Sequence, residues 1–301
     1  MQETRVQADL REQGAQADFE RSLRAEEFAA GVRVWEQVSV REEELRQKAS
    51  PFKLPVQDIH VIAKSVTHDG AIPALILAPF LDRLRGSVGI DVCRQLWWRA
   101  QEKADWTESL VGLSGHMRPV SDLDLDIELI RAALDPLPFV LIHGDVESDH
   151  VQIRIVGLGV MPQRAVSTAG HGEPVASPAV SICGTFPRPN GPAGSHLAGD
   201  MIDTVLACAG ALGEVFHLVR SRRLPRLHTR VPEWLQPGVT AMIIGGYGIA
   251  MENAKWDVEI VKGLQDLVSS MPEQDEYGLR RKADELLNDV MQDIVMRGLE
   301  G

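Results

Sequence analysis

Cysteine is scarce in this chain. The 301 residues hold three, Cys93, Cys183 and Cys208, with no CxxC pair. So odd and sparse a set builds no disulfide framework, and each lies in apolar sequence, so buried thiols are expected. A basic excess is missing too. Forty-three acidic side chains against 31 Lys and Arg give a net charge of −12, with the acids spread along the chain. Gripping a phosphate backbone needs a basic face, so nucleic acid is not an expected partner. Residues 1–15 are polar and contain no apolar core, so no signal peptide is expected. The longest apolar run, Val239 to Met251, is too short for a bilayer, and no transmembrane segment is expected. A cytoplasmic protein follows as the expectation. GxSxG, Walker A and HExxH are all absent, so nothing in the sequence pairs a nucleophile with a base, and no cofactor or metal is expected. No internal repeat is visible.

What the chain does contain suits a globular protein. Apolar residues make up 44%, enough for a sizeable core, and the length allows one large domain or two ordinary ones. Arg outnumbers Lys, which hints at a GC-rich coding genome. From Ala17 to about Lys48, apolar residues including Phe19, Leu23, Phe28, Val32 and Trp35 recur every three or four positions, predicting a long amphipathic helix. Ser50-Pro51 ends it. Val56 to Ala63 and Ile72 to Ala78 have the apolar content of buried strands. Gly89 to Trp106 has helical spacing, with Val92, Leu96, Trp97 and Ala100 inward and an aromatic cluster expected from Trp97, Trp98 and Trp106.

Ser121 to Asp135 is ambiguous. As a strand it would align Asp122, Asp124, Asp126 and Glu128 on one face, a hard-cation arrangement. Asp is poor in strands, so a helix is favoured, started by Asp124 and buried through Ile127, Ile130 and Leu134. Pro138 to Met161 predicts two strands around a polar turn made by Asp145, Glu147, Ser148 and Asp149. Gln163 to Leu197 is rich in Gly, Pro and Ser, with one short strand at Ala179 to Cys183. Helices are expected over Ala198–Arg222, Val239–Ala254, Val258–Met271 and Tyr277–Met296. The fold class is therefore α+β: a helical arm over 1–50, an α/β core over 51–195 with a hairpin near 138–160, and a helical part over 196–301.

Three places could carry chemistry. His143-Gly144-Asp145 follows the apolar run Phe139 to Ile142. It is similar to the catalytic loop of aminoglycoside-type and choline-type phosphotransferases, in which HGD is followed after four residues by Asn. In that loop Asp orients the acceptor hydroxyl and Asn holds Mg²⁺. Here Asp145 takes the Asp place, but His150 takes that of Asn, and no Asp occurs from Ile155 to Ala198. A small metal site shared by His143, Asp145 and His150 across the hairpin is the other catalytic reading. Against both stands a structural one, in which the triplet ends a strand. Second, Gly245-Gly246-Tyr247-Gly248 resembles a dinucleotide loop, but Met251 stands where the last Gly belongs, so a packed helix is expected. Third, Arg220, Arg222, Arg223, Arg226 and Arg230 form a local basic run. A helix C-terminus accounts for it, and an anionic docking patch is the alternative.

Two segments, Phe139 to Leu141 with Asp149 to Gly159 and Phe216 to Val219 with Leu224 to Leu227, resemble an uncharacterised bacterial protein group associated with operons for dynamin-like GTPases or chaperone-like ATPases of defence or stress systems. The resemblance implies a partner of an NTPase rather than an NTPase. The resulting expectation is a non-catalytic interaction or regulatory subunit of a bacterial multiprotein system, with a homo-oligomer open. Candidate contact residues are Trp35, Trp98, Arg220, Arg222, Arg223 and Arg226. The alternative is a phosphotransferase or metal-dependent enzyme centred on His143, Asp145 and His150.

Overall fold

The computed structural model describes residues 50–83, 88–113, 117–120, 123–159, 180–187, 199–254, 257–273 and 275–299. Trp35 and the predicted helix at 17–48 lie outside the described residues, as does most of the Gly/Pro/Ser-rich segment. Residues 51–301 form one compact unit.

Among the described residues the fold is α+β, with eight α-helices and a mixed six-stranded sheet. The first half alternates. Helix α1 (Val56–Val66) leads to β1 (Ala74–Leu77) and β2 (Leu81–Asp82). Helices α2 (Val88–Glu102) and α3 (Ala104–Thr107) follow, then β3 (Val111–Leu113), α4 (Leu123–Leu134) and β4 (Phe139–Val146). Strands β5 (His150–Leu158) and β6 (Val180–Pro187) complete a meander. Four helices close the chain: α5 (Gly199–Ser221), α6 (Gln236–Ala254), α7 (Val258–Ser270) and α8 (Leu279–Leu299).

The strand order is β3-β1-β4-β5-β6, with β2 also paired to β4. Strands β1, β3 and β4 run parallel, joined by helical crossovers, whereas β4, β5 and β6 are antiparallel. Each face of the sheet supports its own core. Leu75, Leu77, Val140, Ile142, Ile153 and Ile155 pack with α2, α5 and the helices behind α5. Ala74, Ile76, Phe139, Leu141, Val156 and Leu158 pack with α1 and α4. Strand β4 is buried almost throughout because it is central and covered on both sides, so its sequence is a continuous apolar run.

Helix α5 forms the centre of the larger core. It is long and apolar enough to cross a bilayer, but 83% of its most apolar stretch is buried inside the protein. Its small residues permit that burial. A Cβ on Gly210 would stand 2.1 Å from the carbonyl oxygen of Trp106. Across the α5–α6 seam, a Cβ on Gly246 would stand 2.6 Å from Val215 Cγ2. The glycines of 245–248 thus belong to a packed helix, as expected.

Three expectations need correction. Val56 to Ala63 is helical, not a strand. Pro55 precedes the first turn, Asp58 suits the positive helix end, and only Ile59 and Ala63, one turn apart, are fully buried. A β-branched run mimicked a strand, but helical spacing governs. Second, the three tryptophans do not cluster. Trp106 is buried, Trp97 packs against Gly112 of β3, and Trp98 faces solvent. Third, Cys183 is exposed, whereas Cys93 and Cys208 are partly buried, with thiols raised by burial, Cys93 to about 11. Leu123–Leu134 is helical, as favoured, so Asp124, Asp126 and Glu128 do not line one face of a strand.

Candidate functional site

The alternation of β4 sends Val140, Ile142, Gly144 and Val146 to one face and Phe139, Leu141, His143 and Asp145 to the other. On the second face the register sets His143 opposite Arg154, and Arg154 opposite Cys183; Asp145 stands opposite Gln152, and Gln152 opposite Thr185. Beyond the apolar part covered by α1 and α4, this face becomes a polar strip.

The strip is internally bonded. Arg154 donates to Gln152 Oε1 at 2.8 Å, and Gln152 Nε2 approaches Cys183 Sγ at 3.5 Å. The Arg154 guanidinium lies 3.9 Å from Asp145 Oδ2. His143 is 2% exposed, and its Nε2 has no hydrogen-bond partner among the described residues. Burial, aided by the Arg154 charge, lowers its pKa to about 4. The imidazole is therefore neutral near pH 7 and a weak base. A catalytic base is best placed with its pKa near the working pH.

The triplet's glycine has a packing reason. A Cβ on Gly144 would stand 2.0 Å from the Gln152 carbonyl oxygen and 2.9 Å from the Phe80 ring. Strand β5 and Phe80 come too close to β4 for any other residue. HGD is thus strand interior here, not the loop that follows a strand.

His143, Asp145 and His150 share a face but are spread along it. His150 starts β5, four residues from Arg154, the partner of His143. At ~3.4 Å per residue that is about 14 Å along the strand, while Gln152, the partner of Asp145, is two residues or about 7 Å away. The His150 Nδ1 lies 2.8 Å from the Asp149 carboxylate in the turn, which holds that carboxyl below the usual range. Among the described residues no three His, Cys, Asp or Glu side chains are grouped to hold a metal.

The basic run is divided. Helix α5 ends at Ser221, and Arg222 leaves it with φ +59° to pair with Asp257. Arg230 is bound to Glu108 at 2.6 Å and to the Asp105 carbonyl. Arg220 lies over the Phe216 ring at 5.8 Å. The backbone N–H groups of Arg226 and Leu227 donate to Glu214, at 2.8 Å for Leu227, and Arg223 N–H to the His217 carbonyl. The run is largely a helix end and the turn after it.

Two buried carboxylates escaped sequence reasoning. Glu214 anchors the 225–227 turn from inside α5; burial raises its pKa more than its hydrogen bonds lower it. Asp203 binds Arg99 at 3.1 Å and ties α5 to α2. The available signal was a lone acid within an apolar helix, clearest for Glu214 between Ala211 and Val219. Trp98 is 67% exposed and donates to Glu102 at 2.9 Å.

The chain matches no family model, no curated protein and no solved structure.

Proposed function

We propose that this protein is a non-catalytic interaction subunit, acting through protein partners in a cytoplasmic bacterial assembly. The reading rests on the burial of His143 inside β4. A neutral, enclosed imidazole on a central strand, beside a glycine required by packing, is sheet architecture. The distance from His143 to His150 speaks in the same direction, because phosphotransfer and metal-assisted hydrolysis both need convergent groups. Exposed Trp98, one helical turn from Arg94 and two from exposed Ile90, is the suggested contact surface on α2. The NTPase identity of the partner comes from the sequence resemblance alone.

The test is a thermal-shift panel of ATP, GTP, Mg²⁺, Mn²⁺ and Zn²⁺, alone and combined, on the wild type and Asp145→Asn. A ligand at about a hundred times its Kd stabilises by roughly 2.7 kcal/mol, which a melting curve resolves. Identical, flat responses from both proteins are expected. A nucleotide–Mg²⁺ shift that Asp145→Asn abolishes would overturn the proposal in favour of a phosphotransferase.

A further inference from the structure

A cavity of about 540 Å³ opens between the turn entering α6 and the loop joining α7 to α8. Its size suits a small ligand or a single long side chain. Each wall contributes one aromatic residue that the fold leaves half exposed or more: Trp234, 52% exposed, and Tyr277, 64% exposed. Two aromatic faces held open at one cavity offer stacking surface to a planar group.

The charges have one sign. Glu233, Asp275 and Glu276 line the cavity, and no Lys or Arg does. The Glu233 and Glu276 side chains form no ion pair among the described residues. Asp275 is committed, capping the start of α8 by accepting from the N–H groups of Arg280 at 2.7 Å and Tyr277 at 3.0 Å, but it keeps its negative charge. Arg280 borders the cavity, and its guanidinium is engaged by the carbonyl of the lining residue Met271 at 2.8 Å and by Asp284 at 4.0 Å. His228 adds no counter-charge, because burial lowers its pKa. Its buried Nδ1 has no hydrogen-bond partner among the described residues, so the wall contains a polar atom the fold leaves unused.

From this arrangement we propose that the cavity is a binding site for an organic cation of the guanidinium class. A planar guanidinium stacks on an aromatic face and offers paired N–H donors to carboxylates, which matches Trp234 and Tyr277 beside Glu233 and Glu276. The cation can be a free small molecule or the arginine side chain of another chain. The chemistry is shared, and the site is independent of the partner-subunit proposal.

Calorimetric titration of the full chain with agmatine and with the peptide acetyl-Gly-Arg-Gly-amide tests it. The same peptide carrying citrulline, the neutral isostere, serves as control. Saturable binding of at least one cation is expected, with the citrulline peptide silent. Trp234→Ala and Glu233→Gln should each weaken that binding by roughly tenfold, the loss of one cation–aromatic or one charge-assisted contact. Both substitutions lie on the surface, so melting temperatures should stay close to wild type. Tighter binding of agmatine identifies a diffusible ligand; tighter binding of the peptide identifies a side-chain socket; either supports the site. No saturation by either cation, equal binding of citrulline, or indifference to both substitutions overturns it.

Discussion

The neutral state of His143 has a measurable cost in acid. Its imidazole is lowered from 6.5 to about 4 because the folded protein buries it, with the Arg154 charge adding to the effect. In the unfolded chain the same group takes up a proton near pH 6.5. Protonation therefore favours unfolding, so the stabilisation is fully present above 6.5 and is lost as pH falls towards 4. At ~1.4 kcal/mol per pH unit the interval is worth about 3 kcal/mol. The perturbation is His143→Leu, which keeps the volume approximately, removes the titrating group and abolishes the unpartnered Nε2. Urea unfolding of both proteins at pH 7.0, 5.5 and 4.0 gives the comparison. Other groups titrate over the same range: His217 and His228 are also lowered by burial, and several carboxyls are shifted. They are common to both proteins and cancel in the difference. The variant should gain about 3 kcal/mol on the wild type between pH 7 and pH 4. A difference that does not change with pH would refute the buried, neutral histidine and return the triplet to the candidates for catalysis.

Other consequences concern packing. Gly246→Ala should cost about 1–3 kcal/mol, because the new methyl meets Val215 in the α5–α6 seam. Gly245→Ala, one residue away in open space, should be neutral or stabilise by up to about 1 kcal/mol. Melting curves that fail to separate the two would show that the seam is looser than described. Glu214→Ala should cost about 3 kcal/mol, since the buried N–H of Leu227 and the partly buried N–H of Arg226 lose a charged acceptor. A change below about 0.5 kcal/mol in urea unfolding would mean that the turn finds other partners. Trp98→Ala should leave stability within about 0.5 kcal/mol, as expected of an exposed position. A larger loss would place Trp98 in the core and remove it as a contact candidate.

The α+β class, the hairpin and the four closing helices were legible because each depends on local periodicity. Met201, Val205, Leu212 and Phe216 mark a helix wherever they are placed, and Val151, Ile153 and Ile155 mark a strand with one covered face. The opening helix was misread for the complementary reason. Val56, Val61 and Ile62 raise strand propensity, but Ile59 and Ala63 provide the burial, and propensity yields to packing. What sequence could not disclose is which distant residues meet. Trp97, Trp98 and Trp106 are close in the chain yet lie in three environments, because a helix turns neighbours by 100° and a chain reversal separates the third. The cavity shared by Trp234 and Tyr277 is formed by segments more than forty residues apart, and neither carries a motif.

His143-Gly144-Asp145 shows why a short motif cannot decide between architecture and chemistry. A catalytic loop uses glycine so that backbone can approach a ligand; here the same need arises because Phe80 and β5 approach β4. A catalytic aspartate needs a substrate hydroxyl in front of it; Asp145 has Arg154 and sits opposite Gln152. A catalytic histidine needs a pKa that responds near neutrality, and burial takes that from His143. Each residue type is explained once its neighbours are known, and each neighbour lies on another strand or loop. The distinction between the two uses of the triplet is thus a property of the register between β4 and β5. One residue of slip in β4 itself would turn His143 and Asp145 to the opposite face of the sheet, against the apolar helices α2 and α5. Val140, Ile142 and Val146, buried on the other face of β4, oppose that slip, so the core that gives the protein its fold also fixes the side of the sheet on which His143 and Asp145 lie.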